Sequence, residues 1–124
     1  MERCVKNKLD GILKIRISGI VNIKDISNHY VAIANDKTLS DRLNILTDCR
    51  ETKLNISPEE LNGYSKFTKK VFGRFNYIKE AIIVDKPYET AIAILLGKTL
   101  SILNNHLIGI FSTEKAATNW LAHQ

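Results

Sequence analysis

The sequence predicts an α/β domain: a mixed, largely parallel sheet of about five strands with about four helices, in the order β-β-α-β-α-β-α-β-α. Three observations carry that reading. Short β-branched runs alternate with longer segments whose apolar residues recur every three to four positions. An Asp-Gly pair near the start, Asp10-Gly11, supplies the turn chemistry of a hairpin. The 124 residues, 44% hydrophobic and 25% charged, fill one ordinary domain spanning 1–124 and leave no room for a second. A chain of this size hides roughly two-thirds of its unfolded surface, so its core stands without a metal or a disulfide.

Residues 2–7 and 12–18 flank Lys8-Leu9-Asp10-Gly11 and read as two antiparallel strands. In the second, Leu13, Ile15 and Ile17 alternate with Lys14, Arg16 and Ser18, the period of a sheet with one face on a core. Asn22 is positioned to cap a helix running to about Lys37, whose apolar stripe is Ile23, Ile26, Tyr30, Ile33 and Ala34. Leu43-Asn-Ile-Leu-Thr47 reads as a short buried strand ending at Asp48-Cys49-Arg50.

Ser57-Pro58-Glu59-Glu60 is the clearest local signal: a Ser cap, Pro at the first helical position and Glu three residues after the cap. The helix it starts places Leu61, Tyr64, Phe67, Thr68, Val71, Phe72 and Phe75 on one face and Lys66, Lys69, Lys70 and Arg74 on the other. Ala81-Ile-Ile-Val-Asp85 is a β-branched run suited to the middle of a sheet, and Lys86-Pro87 ends it before a helix over residues 88–104. Apolar residues from Ala91 to Leu103 cover more than one stripe of that helix, so a partner subunit or an apolar ligand is expected over the excess. Leu107-Ile-Gly-Ile-Phe111 forms a last strand, and Ser112 caps a terminal helix with Ala116, Ala117, Trp120 and Leu121 inward. Right-handed crossovers place such helices over a face of the sheet.

Composition bounds the partners. The net charge is +5, and the densest basic window, residues 66–79, holds Lys66, Lys69, Lys70, Arg74 and Lys79 with no acid. That stripe reads as a solvated helix face; nucleic-acid binding would also need stacking aromatics, and the aromatics here lie on the inward face. Cys4 and Cys49 form no Cys-x-x-Cys pair and read as buried or idle thiols. The longest apolar stretch, Ala91-Ile-Ala-Ile-Leu-Leu96, is far short of the roughly 20 residues of a membrane span, and the first residues show no signal-peptide pattern, so a cytoplasmic protein is expected. His29, His106 and His123 have no metal-ligand spacing, and no nucleophile elbow or phosphate-binding glycine loop is present. No cofactor, metal or catalytic residue is therefore expected.

Three strings, taken with the order of elements, carry a family likeness: Leu46-Thr-Asp-Cys-Arg50 after the third strand, Glu80-Ala-Ile-Ile-Val-Asp-Lys-Pro87 through the fourth, and Phe111-Ser-Thr-Glu-Lys-Ala-Ala-Thr-Asn-Trp-Leu121 at the end. In these the chain resembles the SpoIIAA-like branch of the STAS and SEC14-related domains, whose best-known relatives are the anti-sigma-factor antagonists. The resemblance covers nearly the whole chain and implies the SpoIIAA-like fold. Those antagonists carry a phosphorylatable serine in an Asp-Ser-Ser-Gly motif; here that place reads Asn55-Ile56-Ser57-Pro58, so Ser57 is the one candidate for a switch, although it already has work as a helix cap.

Open sheets with parallel strands keep their sites at strand ends. There the sequence puts Thr47, Asp48 and Arg50 after the third strand, and Asp85, Lys86, Tyr88 and Thr90 after the fourth. One crevice between the groups would suit an anionic or amphipathic ligand; alternatively Asp48 and Arg50 pair to order their own loop. The expected function is a non-enzymatic regulatory or protein-interaction module, homodimeric through Ile94, Leu96, Leu100 and Leu103. The alternative is a carrier or sensor of a small amphipathic, lipid-like or anionic ligand.

Overall fold

Gly11, at φ 76°, adopts the left-handed conformation that the first turn requires and that a glycine enters without steric cost. Asp10, its expected turn partner, lies outside the residues that the computed structural model describes, which are 1, 3–9, 11–101, 103 and 105–123, the side chains of 3–6 and 9 excepted. The thiol expected of Cys4 and the expected helical residue Ile102 lie outside them too. The turn joins β1 (Arg3–Leu9) to β2 (Ile12–Asn22), which pair antiparallel. There follow α1 (Ile23–Asn35), β3 (Arg42–Asn55), a 3-10 turn (Pro58–Leu61), α2 (Tyr64–Val71), β4 (Tyr77–Ile83), α3 (Pro87–Leu100), β5 (His106–Phe111) and α4 (Glu114–Ala122).

The sheet order is β1-β2-β3-β4-β5, with every pair after the first parallel. Each crossover therefore steps one strand in the same direction, and right-handed crossovers of that kind put their helices on one face. On that face α1, α2 and α3 bury Tyr30, Ile33, Tyr64, Ile92, Leu96 and Leu100 against the sheet. After the last strand the chain crosses to the other face, where Ala117 and Leu121 of α4 pack on Leu46, Ala81 and Ile83. Covered on both faces, β4 is buried from Ile78 through Ile83, which is why its sequence reads as an unbroken apolar run near its end.

Several boundaries differ from expectation for physical reasons. The third strand continues well past Arg50, because residues 51–55 alternate exposed and buried like any half-covered strand. The fourth begins earlier, at Tyr77, since Lys79 and Glu80 are buried with partners. The capping box at Ser57 forms as its residue types require, with Ser57 Oγ accepting from the Glu60 amide and Glu60 Oε1 accepting from the Ser57 amide, but it opens only the short 3-10 turn. Gly63, left-handed at φ 72°, breaks the segment before α2 starts at Tyr64. Thr113 rather than Ser112 caps α4. At the other end Asn22 caps α1 as expected, exchanging side-chain bonds with Asp25.

Candidate functional site

Midway along β3 the pairing with β2 slips: Arg16 faces Asp48 but Ser18 faces Glu51, so β3 carries an extra residue at Cys49-Arg50. Such a bulge leaves backbone groups outside the ladder. The local side chains take them up. Asp48 Oδ1 accepts from the Arg50 amide at 3.1 Å, and the Arg50 guanidinium grips both Asp48 oxygens at 3.0 and 2.8 Å. The Thr52 hydroxyl donates to the Cys49 carbonyl at 2.7 Å, and Lys86 Nζ to that of Arg50 at 2.5 Å. The Arg50 hydrogen bond outweighs partial burial and holds the Asp48 carboxyl below its ordinary value.

The strand-end residues thus do not line one crevice. Asp48, Arg50 and Lys86 meet, with exposed Asp85 3.7 Å from Lys86, but they are spent on ordering the bulge. Thr47 points to the three-helix face, because neighbouring residues of a strand alternate faces. Tyr88 donates to the Ile56 carbonyl at 2.5 Å, and the Thr90 hydroxyl turns back to the Lys86 carbonyl at 2.7 Å. Glu89, which sequence reasoning passed over, is buried and accepts from the Leu54 amide at 3.0 Å. It caps the part of β3 that outruns β4, a role that only the topology discloses.

A second polar group was missed by sequence. Glu80 on β4 is buried in the three-helix core, where its Oε1 meets Tyr30 Oη at 3.2 Å and His106 Nε2 at 3.0 Å while Oε2 accepts from Thr47 at 3.1 Å. Burial pushes the carboxyl up, yet the hydrogen bond and charge of His106, with His29 and Thr47 adding, keep it below its ordinary value. Burial and the charge of Glu80 push the Tyr30 phenol well above its own. The signal was the alternation that sets Glu80 between Ile78 and Ile82 on one face of the strand. Beside this cluster lies a cavity of about 40 Å³, with Ile17, Ile92 and Leu96 in its wall. That volume holds a water-sized guest, whereas small-molecule sites run to about 300–1,000 Å³. Among the described residues no group of three or more His, Cys, Asp or Glu is placed to hold a metal ion.

The expected interface set divides. Ile94 is 40% exposed and its neighbour Leu95 37%, whereas Leu100 is fully buried and Leu96 nearly so. The two buried leucines lie on the turn of α3 that faces the sheet with Ile92 and Ala93, so they serve the monomer core and are withdrawn from the interface; Leu103 is half-buried. Gly97 lets α3 approach β5, its Cβ position lying 3.5 Å from Ile108.

Two further expectations change. Ser57 precedes one 3-10 turn, so the helix-dipole argument for a phosphate there lapses, and Glu60 Oε1 stands 3.3 Å from its hydroxyl. The basic window shrinks to exposed Lys66, Lys69 and Lys70. Arg74 donates to the Ala34, Asp36 and Leu39 carbonyls around the end of α1. Lys79 is buried, donating to the Trp120 and His123 carbonyls at the end of α4, with its ammonium 4.6 Å from the Trp120 ring centre. Among the described residues no helix is long and apolar enough to cross a membrane.

No family profile matches the chain, and no curated protein matches it. Solved structures do. One is an uncharacterized protein of the DUF3478 family with a SpoIIAA-like fold from Shewanella loihica, 14% identical, with 96% of this chain and 92% of that one covered at a TM-score of 0.57. Another is the anti-sigma factor antagonist SpoIIAA in its unphosphorylated form, 9% identical, with 98% and 100% covered at a TM-score of 0.52. The chain therefore has the SpoIIAA-like fold, as its sequence resemblance implied.

Proposed function

We propose that this chain is a non-enzymatic regulatory module that works by protein contact, as a homodimer, on its SpoIIAA-like scaffold. The observation that carries the reading is the outer side of α3. Ile94 and Leu95 stand 40% and 37% exposed on a helix whose opposite side already fills the core. Contiguous apolar surface marks contact sites on soluble proteins, and these two neighbours are where α3 offers it. The SpoIIAA neighbour is an anti-sigma factor antagonist, which supports a regulatory role without assigning a target.

The carrier alternative draws on the same fold, but the apolar cavity of about 40 Å³ is too small for a lipid-like tail, and the larger surface hollows, of about 530 and 550 Å³, have charged residues such as Asp48 and Glu51 or Lys53, Lys86 and Glu89 in their walls. At the strand ends, Arg50 and Lys86 are already engaged by Asp48 and by backbone. A native mass spectrum of the purified protein separates the two readings. A dimer of unmodified chains is the expected result. A retained adduct of a few hundred daltons would overturn the module in favour of the carrier.

A further inference from the structure

The sheet ends in two unlike edges. The outer strand β1 carries Arg3, Lys6 and Lys8 in its sequence, and charged residues of that kind discourage strand-to-strand pairing. The other edge, β5, is His106-Leu-Ile-Gly-Ile-Phe111, with no Lys, Arg, Asp, Glu or Pro, and its pairing with β4 runs without a slip. Leu107 on this strand is 49% exposed.

The backbone direction of β5 follows from its bonds to β4. The carbonyls of Asn105 and Phe111 accept from Ile78 and Val84, so residues 105, 107, 109 and 111 turn their backbone groups toward β4. By alternation, Ile108 and Ile110 present their amides and carbonyls to the open edge.

We infer that the second copy docks here, with α3 beside the seam through its Gly97 contact on Ile108, β5 pairing antiparallel with β5 about a two-fold axis at Gly109 to make one continuous ten-stranded sheet; this rests on the homodimer reading above. A two-fold contact must be self-complementary. Set about Gly109, Ile108 faces Ile110 of the second copy as a hydrogen-bonded pair, and Leu107 faces Phe111 on the α4 side. From Leu107 to Phe111 no facing side chain is polar. The charge argues for a second copy at this edge: on a chain of net charge +5, β5 is the edge where two copies meet without setting cation against cation. Pairing β1 with β1 would do the reverse, and pairing β5 with β1 would leave both ends open and build fibres rather than dimers.

Amide hydrogen exchange on the full chain, read across a concentration series that sedimentation shows to span monomer and dimer, tests the inference. The Ile108 and Ile110 amides are expected to slow by about tenfold or more as dimer forms, while the Gly109 amide, turned toward β4, is protected throughout. A dimer in which Ile108 and Ile110 exchange independently of concentration overturns edge pairing and leaves the homodimeric module standing on another surface. A monomer at every concentration overturns both. Leu107→Glu provides the second arm, since this side chain is 49% exposed and its register neighbour on β4 is Lys79, beside which a carboxylate sets no like charge. The variant should sediment as a monomer with an unchanged melting temperature at low concentration, and a dimer as tight as the parent's overturns the inference.

Discussion

Glu80 and His106 face each other from neighbouring strands at 3.0 Å, their side chains 2% and 0% exposed, inside a core built mainly of aliphatic and aromatic side chains. Tyr30 and Thr47 supply the carboxylate's other hydrogen bonds. Removing one member of such a buried pair strands its partners without water to replace the lost bond. Glu80→Ala should therefore cost about 3–5 kcal/mol, and Thr47→Val, which removes one donor, about 1–3 kcal/mol. Urea unfolding measures both, and a midpoint unmoved by Glu80→Ala would show that the cluster contributes nothing to stability.

The same carboxylates set an acid limit. Glu80 and Asp48 both lie below their ordinary values in the folded protein, held there by His106 and Arg50 against the effect of burial. A carboxyl depressed on folding binds its proton more weakly than the unfolded chain does. Its contribution is complete above the unfolded values, about 4.3 for Glu and 3.9 for Asp, and is lost as pH falls through the folded ones. Melting temperatures taken from neutral pH down to about pH 2 should fall steeply only below about pH 4.5, with a shallower fall in Asp48→Asn. An equally steep fall in that variant would remove Asp48 from the explanation.

Ser57 is a cap, and its substitutions should behave as those of a cap. Its hydroxyl oxygen accepts the Glu60 amide at a long 3.3 Å, so Ser57→Ala should cost about 0.5–1 kcal/mol, the weaker end of the capping range. Ser57→Asp places a second carboxylate beside that of Glu60 and should be no more stable than Ser57→Ala. Thermal unfolding of the two variants tests this; a Ser57→Asp protein clearly more stable than the parent would restore the anion-binding view of this position.

The α3 residues separate fold from contact. Leu100 is fully buried among the sheet residues, so Leu100→Glu puts an unpaired charge in the core and should unfold the protein or lower its stability by several kcal/mol. Ile94, at 40% exposed, can take a glutamate within about 0.5 kcal/mol, as surface positions do, and Ile94→Glu should weaken the dimer instead. Sedimentation and thermal melts of both variants check the contrast. If Ile94→Glu leaves the sedimenting mass unchanged, the outer face of α3 is no part of the contact.

Periodicity and capping chemistry carried the fold. The Asn22 cap, the stripe on α1 and the buried run in β4 are local patterns, and the order of elements follows from them. Boundaries failed where a residue's state depends on a distant partner. Lys79 looks like a surface lysine until the end of α4 supplies its acceptors, and Asp48-Cys49-Arg50 looks like a strand end until side chains satisfy the bulge. The candidate site was less legible for the same reason. Glu80, Tyr30, Thr47 and His106 come from four elements, and Glu80 is 50 residues from Tyr30 in the chain.

Gly109 packs closely under the rings at the α4 face. A Cβ placed on it would lie 2.8 Å from Phe111 Cε2 and 3.1 Å from Trp120 Cε2, closer than carbon atoms approach without displacement. The two rings stand with centroids 5.3 Å apart, and Trp120 also lies under the Lys79 ammonium, so neither ring moves without loosening α4. Gly109→Ala relieves backbone freedom in the unfolded chain, worth about 0.4–1 kcal/mol, but overpacking of this kind costs about 1–3 kcal/mol. The net expectation is destabilisation, with a shift in the emission of Trp120, the only tryptophan of the chain. A Gly109→Ala protein as stable as the parent, with unchanged emission, would mean that Phe111 swings aside freely and that the packing of α4 on β5 is looser than the ring contacts imply.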